Sequence, residues 1–528
     1  MANIIFFPLS IQAFISLIIA SISIFLIFKR RMITSKLPLP PGPKPWPIIG
    51  SIHLMLKNKP FYHWIHDTMS KMGVEIFCIR LGNVHVITVT SPEIACEFFK
   101  KQDAVFASRP IVMSAEVVSG GFSAVTLTPL NDQWKKMRRI LASSILSPAT
   151  HQWMHGKRAE EADHLVRHVY NVTKSDGGVV NIRAVAQHYC GNVIRKMIFG
   201  KRFFGKEDIN GGPGVEDVEH VAALFNVLKY TYSFCISDYI PFLRYRLDLD
   251  GHEKLVRHAN EGVRKHQDPD IDSRIKQWKE GSRSVTEDLL DMLITLKDDE
   301  GNPLLAPEEI KSLILEITVA TVDNPSNAVE WALDEMLNQP DIFVKALQEL
   351  DQVVGKDRLV QESDMSNLHY IKACIKESFR IHPFAPFNLP HVSTRDTTVA
   401  GYFIPKGSHV LLSRPGLGRN PRIWDDPLLF KPERHLKDDK SQVILNDPDL
   451  RIFSFSIGRR GCAGVSLGTT VSVMLLARLL QAFTWSPSPN APYIKSVEGA
   501  CEMLPSKPLH AFALPRLDEG MYDALLEE

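Results

Sequence analysis

One cysteine near the end of the chain constrains the fold more than any other residue. The segment from Phe455 to Gly464 reads Phe-Ser-Ile-Gly-Arg-Arg-Gly-Cys-Ala-Gly, and a mostly apolar stretch, 465–483, follows it directly. That stretch is typical of a buried helix, so Cys462 precedes a helix N-terminus. The helix dipole and neighbouring arginines both stabilise a thiolate there. A structural cysteine requires no arginine or glycine at fixed offsets, so we interpret Cys462 as a metal ligand.

The composition of the 528-residue chain excludes several alternatives. No Gly/Ser-rich linker, low-complexity tract or repeat divides residues 50–528, so one large domain is predicted. The net charge of +1 gives no electrostatic basis for binding nucleic acid. The seven scattered cysteines form no disulfide framework, and no second cysteine lies near Cys462 to suggest zinc. This pattern is typical of a reducing compartment.

The N-terminus predicts a membrane anchor. Residues 1–28 carry no charged side chain, and their apolar run ends at Lys29-Arg30-Arg31. A helical run of about 20 apolar residues spans a bilayer, and basic residues after it indicate a cytosolic C-terminal side. A cleaved signal peptide is the competing interpretation, but its charges would precede a shorter apolar core. We therefore predict an anchor over residues 1–31 and a stiff proline-rich linker over residues 32–50.

Two further motifs precede the cysteine. Glu377 and Arg380 lie three residues apart in a helical pattern that Pro383 ends, so they share one helix face and can pair. The segment Pro432–His435, Pro-Glu-Arg-His, follows nearer the cysteine. Alone, a Glu–Arg pair of this kind is nearly always a solvated surface contact. Combined with the cysteine loop, the spacing resembles that of cytochrome P450 enzymes, in which a cysteine thiolate is the axial ligand of haem iron.

The resemblance implies a mainly α (α+β) fold. That fold is a single large cytochrome P450 domain over residues 51–528, with a long helix that crosses the haem and small β-sheets, plus the N-terminal transmembrane helix. The implied cofactor is haem b, held through Cys462, and the implied co-substrates are NADPH and O₂. The resemblance also implies that Arg434 completes the Glu377–Arg380 cluster. The aromatic residue that usually follows this arginine is replaced by His435.

Other positions match residues that surround the haem in the family. On that basis Phe455 shields the cysteine sulfur, Arg460 pairs with a haem propionate, and Gly464 lets the following helix approach the porphyrin. Trp134 and Arg138, at i and i+4 of one helical pattern, match two further propionate contacts. His391 matches a third propionate contact, although a lone histidine is as often a structural hydrogen-bonding residue.

The helix expected on the oxygen side of the haem departs from the family pattern. Pro307 opens it, and apolar residues follow at helical spacing. Most family members carry Ala/Gly-Gly-x-Asp/Glu-Thr there, with an acid and an alcohol that relay protons to bound oxygen. This chain keeps the acid as Asp323 but has Asn324 and Pro325 next. Proline frees the carbonyl of Thr321, and Asn324 can position a water molecule. We predict a relay through Asp323, Asn324 and Thr321; the alternative is loss of oxygen activation.

Four sequence segments narrow the resemblance to one subgroup. They closely resemble the plant cytochrome P450 enzymes that convert amino acids to aldoximes, and they cover residues 323–332, 378–383, 386–393 and 454–456. The implied reaction is two N-hydroxylations of an L-amino acid, followed by decarboxylation and dehydration. It would be the first step of cyanogenic glycoside, glucosinolate-type or volatile nitrogenous defence metabolism. The implied partners are NADPH–cytochrome P450 reductase and the endoplasmic reticulum membrane, with a single span and a cytosolic catalytic domain.

Phenylalanine is the first expectation for the substrate, and valine or isoleucine the next, with tyrosine and tryptophan also possible. A cytochrome P450 that hydroxylates carbon in another plant metabolite is an alternative, and a non-catalytic haem protein is the rival from another class.

Arg109 is one candidate for binding the substrate carboxylate, because arginine forms bidentate contacts with carboxylates. Phe122, Phe384, Phe387 and Leu389 are candidate pocket residues, with ordinary core packing as their alternative.

Overall fold

Helices form most of the chain in the computed structural model, which describes residues 16, 37–175, 177–206, 212–240, 248, 250–436, 442–487 and 507–527. The α-helices with described bounds are α1 Ile52–Lys57, α2 Phe61–Met72, α3 Pro92–Cys96, α4 Met113–Val118, α5 Asp132–Ile140, α6 Pro148–Trp153, α7 His155–Ser175, α8 Ile182–Phe199, α9 Val215–Tyr232, α10 His252–Glu280, α11 Leu289–Thr295, α12 Pro307–Asn338, α13 Pro340–Val353, α14 His369–Ile381, α15 Arg414–Gly418, α16 Val465–Ala482 and α17 Glu519–Glu527.

The longest described helix, α12, has buried side chains on most of its faces. Pro307 occupies its first turn, where no backbone N–H is needed, and Glu309 accepts the N–H of Ala306 at 2.8 Å. Pro325 lies inside the helix without ending it. The helix packs against α8, α14 and α16. The long helix predicted from Pro307 and the apolar spacing after it is therefore confirmed.

The described strands form small sheets beside the helices. They are β1 Ile76–Leu81, β2 Val84–Val89, β3 Val179–Asn181, β4 His391–Val392, β5 Thr397–Val399, β6 Tyr402–Ile404, β7 His409–Leu412, β8 Phe483–Pro487 and β9 His510–Pro515. One sheet has the order β1-β2-β7-β4, in which β2 and β7 are parallel and the other pairs antiparallel. The second has the order β3-β9-β8, and β5 pairs with β6. The mainly α (α+β) class predicted from the sequence is confirmed.

The apolar stretch after Cys462 is the core helix α16. Within the described ranges, it alone is a helix long and apolar enough to cross a membrane. From Leu467 to Ala482 its residues are nearly all buried, and it packs on α12, α7 and α13. Its composition therefore reflects the protein core. The anchor predicted over residues 1–31 lies outside the described residues except for Ser16.

The proline-rich segment is described from residue 37 onward, and there it packs on the sheets. The carbonyl of Pro41 accepts the N–H of Cys78 in β1 at 2.8 Å, and the carbonyl of Pro38 accepts the N–H of Phe403 in β6 at 2.8 Å. A Cβ on Gly42 would lie 1.8 Å from the carbonyl oxygen of Cys78. Glycine is therefore needed for this close approach, which holds the segment against the domain.

Candidate active site

The loop before α16 is held in one conformation by its own backbone. Residues Gly458–Arg460 form a 3₁₀ turn, and the N–H of Cys462 donates to the carbonyl of Phe455 at 2.8 Å. Gly458 has a φ of +74°, and a Cβ there would lie 2.5 Å from the carboxylate of Asp103. Both the backbone angle and the close approach require glycine at this tight turn.

The sulfur of Cys462 lies in a recess at the N-terminus of α16. Its Sγ accepts the N–H of Gly464 at 3.3 Å. The side chain keeps exposed surface although protein atoms surround it densely, and a sulfur at the bottom of a concave site has both properties. Burial raises the pKa of the thiol, while the Gly464 N–H and the charge of Arg138 act in the opposite direction. A bound metal cation would supply the charge that a thiolate needs here.

A buried charge cluster joins α14 to the 3₁₀ turn over Pro432–His435. Arg380 donates to both carboxylate oxygens of Glu377 at 2.7 and 2.8 Å, and Arg434 donates to Glu377 at 3.0 Å. His435 Nε2 lies 2.7 Å from the same carboxylate. Burial alone would raise the pKa of Glu377, but the hydrogen bonds of Arg380 and His435 lower it to about 2. The predicted contact of Arg434 is confirmed, and His435 is a further member of the cluster.

Positive charge accumulates around the ring of Trp134. Arg138 donates to a carbonyl of the cysteine loop at 2.7 Å, and the guanidinium of Arg460 lies 4.4 Å from the ring centre of Trp134. Burial, followed by the charges of Arg109 and Arg138, lowers the pKa of Arg460 to about 8, against the opposing effect of Glu316. Trp134 Nε1 is buried and finds no hydrogen-bond partner in the described part of the chain. The cluster therefore offers cations and an N–H donor to an anionic group.

The three other residues predicted to contact the cofactor, Phe455, Gly464 and His391, make different kinds of contact within the protein. The ring of Phe455 packs edge-on against a phenylalanine ring of α14, with centroids 5.8 Å apart. A Cβ on Gly464 would make only ordinary contacts of 3.8–3.9 Å, so the protein contacts alone do not require glycine there. His391 Nδ1 donates to the carbonyl of Phe106 at 2.8 Å. Burial and the charge of Arg109 hold the pKa of His391 well below its ordinary value.

The polar residues of α12 near its proline hydrogen-bond to their own helix. Thr321 Oγ1 donates to the carbonyl of Ile317 at 2.8 Å, and the Asn324 amide donates to the carbonyl of Ala320 at 3.2 Å. Pro325 has no N–H, so it cannot donate to the carbonyl of Thr321 four residues back. The structure thus keeps the helix regular while one carbonyl loses its intrahelical donor.

A cavity of about 910 Å³ lies beside this part of α12. Of the four predicted pocket residues, Phe384, Phe387 and Leu389 line the cavity, whereas Phe122, which is also described, does not. Leu127 is a further lining residue. The walls near these residues are apolar, which suits an apolar substrate side chain.

Charged residues line the same cavity. Asp323 reaches it from α12 and lies close enough to Cys190 of α8 to influence its pKa. Arg109 also lines it and donates to the carbonyls of Leu389 and Pro390 at 2.7 and 3.0 Å. Cys462 is a described residue that does not line this cavity.

Comparison with known protein families matches residues 40–511 to the family Cytochrome P450. This chain belongs to the cytochrome P450 family. The cytochrome P450 is 55% identical to a tyrosine N-monooxygenase of Sorghum bicolor, over 92% of this chain and 88% of that protein. It is 55% identical to valine N-monooxygenase 1 of Manihot esculenta, over 93% of this chain and 90% of that protein. It is 53% identical to phenylalanine N-monooxygenase CYP79D16 of Prunus mume, over 93% of each chain.

As a cytochrome P450, the protein uses haem with a cysteine thiolate as iron ligand and depends on O₂ and NADPH. The residues present fit this cofactor. The unpartnered N–H of Trp134 and the accumulated arginine charge suit the two carboxylates of haem. The side chain of Cys462 is exposed, so its sulfur can be reached by a metal ion. Protein contacts alone do not require glycine at position 464, whereas a ring system lying against the backbone there would. The cofactor implied by the family therefore matches the chemistry of the site.

Glu316 of this cytochrome P450 was not predicted as a site residue. Its carboxylate accepts the backbone N–H groups of Val125 and Thr126 at 2.9–3.0 Å. Burial raises the pKa of Glu316, and these hydrogen bonds act in the opposite direction. The available signal was an acidic residue inside the apolar run Leu313–Val319 of α12.

Proposed function

We propose that this cytochrome P450 is an amino-acid N-monooxygenase that converts L-phenylalanine to its aldoxime. The reaction consists of two N-hydroxylations, followed by decarboxylation and dehydration. The observation that carries the proposal is the high identity, over most of both chains, to relatives named as N-monooxygenases of tyrosine, valine and phenylalanine. The unusual Asp323-Asn324-Pro325 sequence of α12 supports it.

In this proposal Cys462 is the iron ligand, and the residues around it hold the cofactor. Arg138 and Arg460 bind the propionates as cations, and Trp134 donates through its buried Nε1. His391 is a further contact: because Nδ1–H is used by Phe106, its Nε2 can donate only when the ring is protonated, which a nearby anion favours. When bound, haem supplies the activation of O₂ with electrons from NADPH.

Two further residues complete the cofactor assignment. Phe455 limits the access of water to the sulfur, because its ring packs against α14 beside the loop. Gly464, the N-cap residue of α16, has no side chain, so a flat ring system could lie close to the backbone there. Both roles rest on packing rather than on hydrogen bonds.

The oxygen side is assigned to three residues of α12. Asp323, which lines the cavity, exchanges protons with water there. Asn324 and the freed carbonyl of Thr321 position the water molecule that carries the proton onward, since an amide side chain can orient water but cannot itself relay a proton. The three residues together take the place of the acid and alcohol that most family members use.

The substrate contacts follow from the cavity. Arg109, which lines the cavity, is the candidate for binding the carboxylate, and Phe384, Phe387 and Leu389 would contact the side chain. Phenylalanine is favoured because aromatic rings in the wall gain from contact with another ring. Valine, isoleucine, tyrosine and tryptophan are the alternative substrates, and relatives named for tryptophan and isoleucine share 52–55% identity with this chain.

The cellular arrangement is also a proposal. A single anchor over residues 1–31 and a linker over residues 32–50 would attach the catalytic domain, residues 51–528, to the cytosolic face of the endoplasmic reticulum. NADPH–cytochrome P450 reductase in the same membrane would supply electrons. The support is the uncharged N-terminal run with basic residues after it.

The test is reconstitution of the full-length protein with reductase and NADPH in lipid vesicles. Each of L-phenylalanine, L-tyrosine, L-tryptophan, L-valine and L-isoleucine is supplied alone, and products are identified by mass spectrometry. We expect phenylacetaldoxime to form fastest. A different aldoxime as the main product would mean that another amino acid is the preferred substrate, while the assignment as an amino-acid N-monooxygenase would stand. A reducible sample that yields no aldoxime overturns the proposal, and a product hydroxylated at carbon would support the alternative monooxygenase.

A further inference from the structure

The segment Ala124–Thr128 has no regular secondary structure; its residues are buried except Thr126, which is exposed, and charged side chains bind its backbone polar groups. Its N–H groups point to α12: Val125 donates to Glu316 at 2.9 Å, and Thr126 donates to both carboxylate oxygens at 2.9 and 3.0 Å. The N–H of Leu127 interacts with the same carboxylate. Successive N–H groups therefore converge on one acidic residue.

The carbonyl groups of the same segment bind the arginines of the cofactor cluster. Arg460 donates to the carbonyls of Val125 and Thr128 at 3.2 and 2.8 Å. Arg109 donates through Nε to the carbonyl of Thr126 at 3.0 Å. The segment is thus held between an anion on its α12 side and two cations on the other side. Buried N–H and carbonyl groups left without such partners are costly, so this arrangement fixes the backbone strongly.

The fixed backbone carries one side chain into the cavity. Leu127 lines the cavity that also contains Asp323 and Phe387. Leu127 itself is only 8% exposed. Because the N–H groups of Val125 and Thr126 are bound to Glu316 while neighbouring carbonyls are bound to the arginines, the backbone beside Leu127 is held more firmly than that of an ordinary loop. The protein's own hydrogen bonds therefore hold the backbone from which Leu127 projects.

We infer that Glu316 is a positioning residue that fixes Leu127 as a rigid wall, and that this wall determines which amino-acid side chains bind. The inference rests on the proposed function for the identity of the substrate, but the geometry of the wall is independent of it. Glu316 acts through the backbone of residues 125–127 and contacts the substrate only through Leu127.

The principal variant is Glu316→Gln, and its matched control is Glu309→Gln. Glu309 lies on the same helix and also accepts a backbone N–H, from Ala306, but its other partners are Lys136 and Gln133 of α5. An amide in place of Glu316 keeps one acceptor oxygen but turns an NH₂ group toward backbone N–H donors. The segment should therefore loosen in Glu316→Gln and stay fixed in Glu309→Gln.

Binding is measured on the haem-loaded, full-length protein by the shift of the haem absorption band. Amino-acid titrations with the five-substrate panel give one set of dissociation constants. Imidazole and 4-phenylimidazole, which bind haem iron directly, give a second set that requires no amino-acid substrate. In Glu316→Gln we expect affinity for the preferred amino acid to fall about tenfold, and the advantage of 4-phenylimidazole over imidazole to shrink about fivefold. The carbon monoxide spectrum should not change.

The coupling to the wall is tested with Leu127→Ala and the double variant. If Glu316 acts through Leu127, Leu127→Ala alone should shift the ranking of side chains, and the double variant should be no worse than Glu316→Gln. Additive losses, or an unchanged ranking in haem-loaded Glu316→Gln, overturn the inference. If Glu316→Gln fails to load haem, the ranking in Leu127→Ala and in Glu316→Asp decides, and an unchanged ranking in both overturns it.

The proposed function and this inference fail in different ways. A wild-type protein that binds the imidazoles but none of the amino acids contradicts the proposed function. A wild-type protein that binds the amino acids, while Glu316→Gln keeps the full advantage of 4-phenylimidazole, contradicts the inference alone.

Discussion

The cysteine side and the oxygen side of the site are built in opposite ways. On the cysteine side, one carboxylate links separate segments: Glu377 binds Arg380 of the same helix together with Arg434 and His435, which lie 57 and 58 residues further along the chain, and its pKa is lowered to about 2. On the oxygen side, the hydrogen bonds that the Thr321 and Asn324 side chains make within the described residues go to carbonyls of α12 itself.

This difference separates the features of the site that the whole family needs from those that are specific to this protein. A site that holds a thiolate needs a rigid frame, and buried charge clusters supply rigidity at the cost of tolerance to change. A site that manages protons and a particular substrate needs polar groups that can still bind water. On the proposed function, the cysteine side supplies the chemistry common to the family, and the oxygen side would select the reaction.

The comparison is tested most severely at Cys462. Cys462→Ala removes the only sulfur in the loop, and we expect loss of the thiolate-type carbon monoxide spectrum together with all turnover. The measurement is the carbon monoxide difference spectrum of the reduced protein, with haem content quantified separately. Cys96→Ser is the control, because Cys96 is only partly buried and its Sγ interacts weakly with a backbone carbonyl at 3.8 Å. A normal spectrum in Cys462→Ala would contradict the assignment of the ligand.

The second prediction concerns stability. Glu377→Gln leaves Arg380 and Arg434 buried without a carboxylate, so we expect a loss of about 3 kcal/mol in the free energy of unfolding. The depressed pKa of Glu377 means that its contribution is complete above about 4.5 and disappears as the pH falls to about 2. Urea unfolding of wild type and variant at pH 7 and at lower pH measures both effects. The difference between the two proteins should shrink in acid; a constant difference would contradict the charge-based explanation.

Most of the cysteine side could be predicted from sequence because its residues occur in short patterns. Glu377 and Arg380 are one helical turn apart, and Cys462 lies seven residues after Phe455. Glu316 escaped prediction because its partners lie 190–191 residues away in a segment without regular structure. The contact of His435 with Glu377 was not predicted either, since the sequence showed His435 only as a replacement for the aromatic residue usual at this position in the family.

The third prediction addresses the oxygen side. Asn324→Leu removes an amide that can position water, and we expect aldoxime formation to fall about tenfold while more hydrogen peroxide is released per NADPH consumed. Haem binding and the carbon monoxide spectrum should remain normal, because among the described residues the Asn324 side chain hydrogen-bonds to its own helix. Asn324→Gln, which keeps an amide, is the matched control and should retain more of the coupling. Equal peroxide release in wild type and Asn324→Leu would contradict a role in proton delivery.

The smallest expected effect is at Pro325, and it separates helix stability from function. Pro325→Ala restores an N–H that can donate to the carbonyl of Thr321, and alanine is intrinsically favoured over proline in a helix interior by about 3 kcal/mol. Because α12 is already regular around the proline, only part of that difference should appear, so the melting temperature should rise slightly. If the freed carbonyl positions water, coupling of NADPH to aldoxime should fall about twofold to threefold even as stability increases, which simultaneous measurement of unfolding and peroxide release would detect. A stabilised variant with unchanged coupling would mean that the proline serves the shape of the helix alone, and the oxygen side would then depend on Asp323 and Asn324.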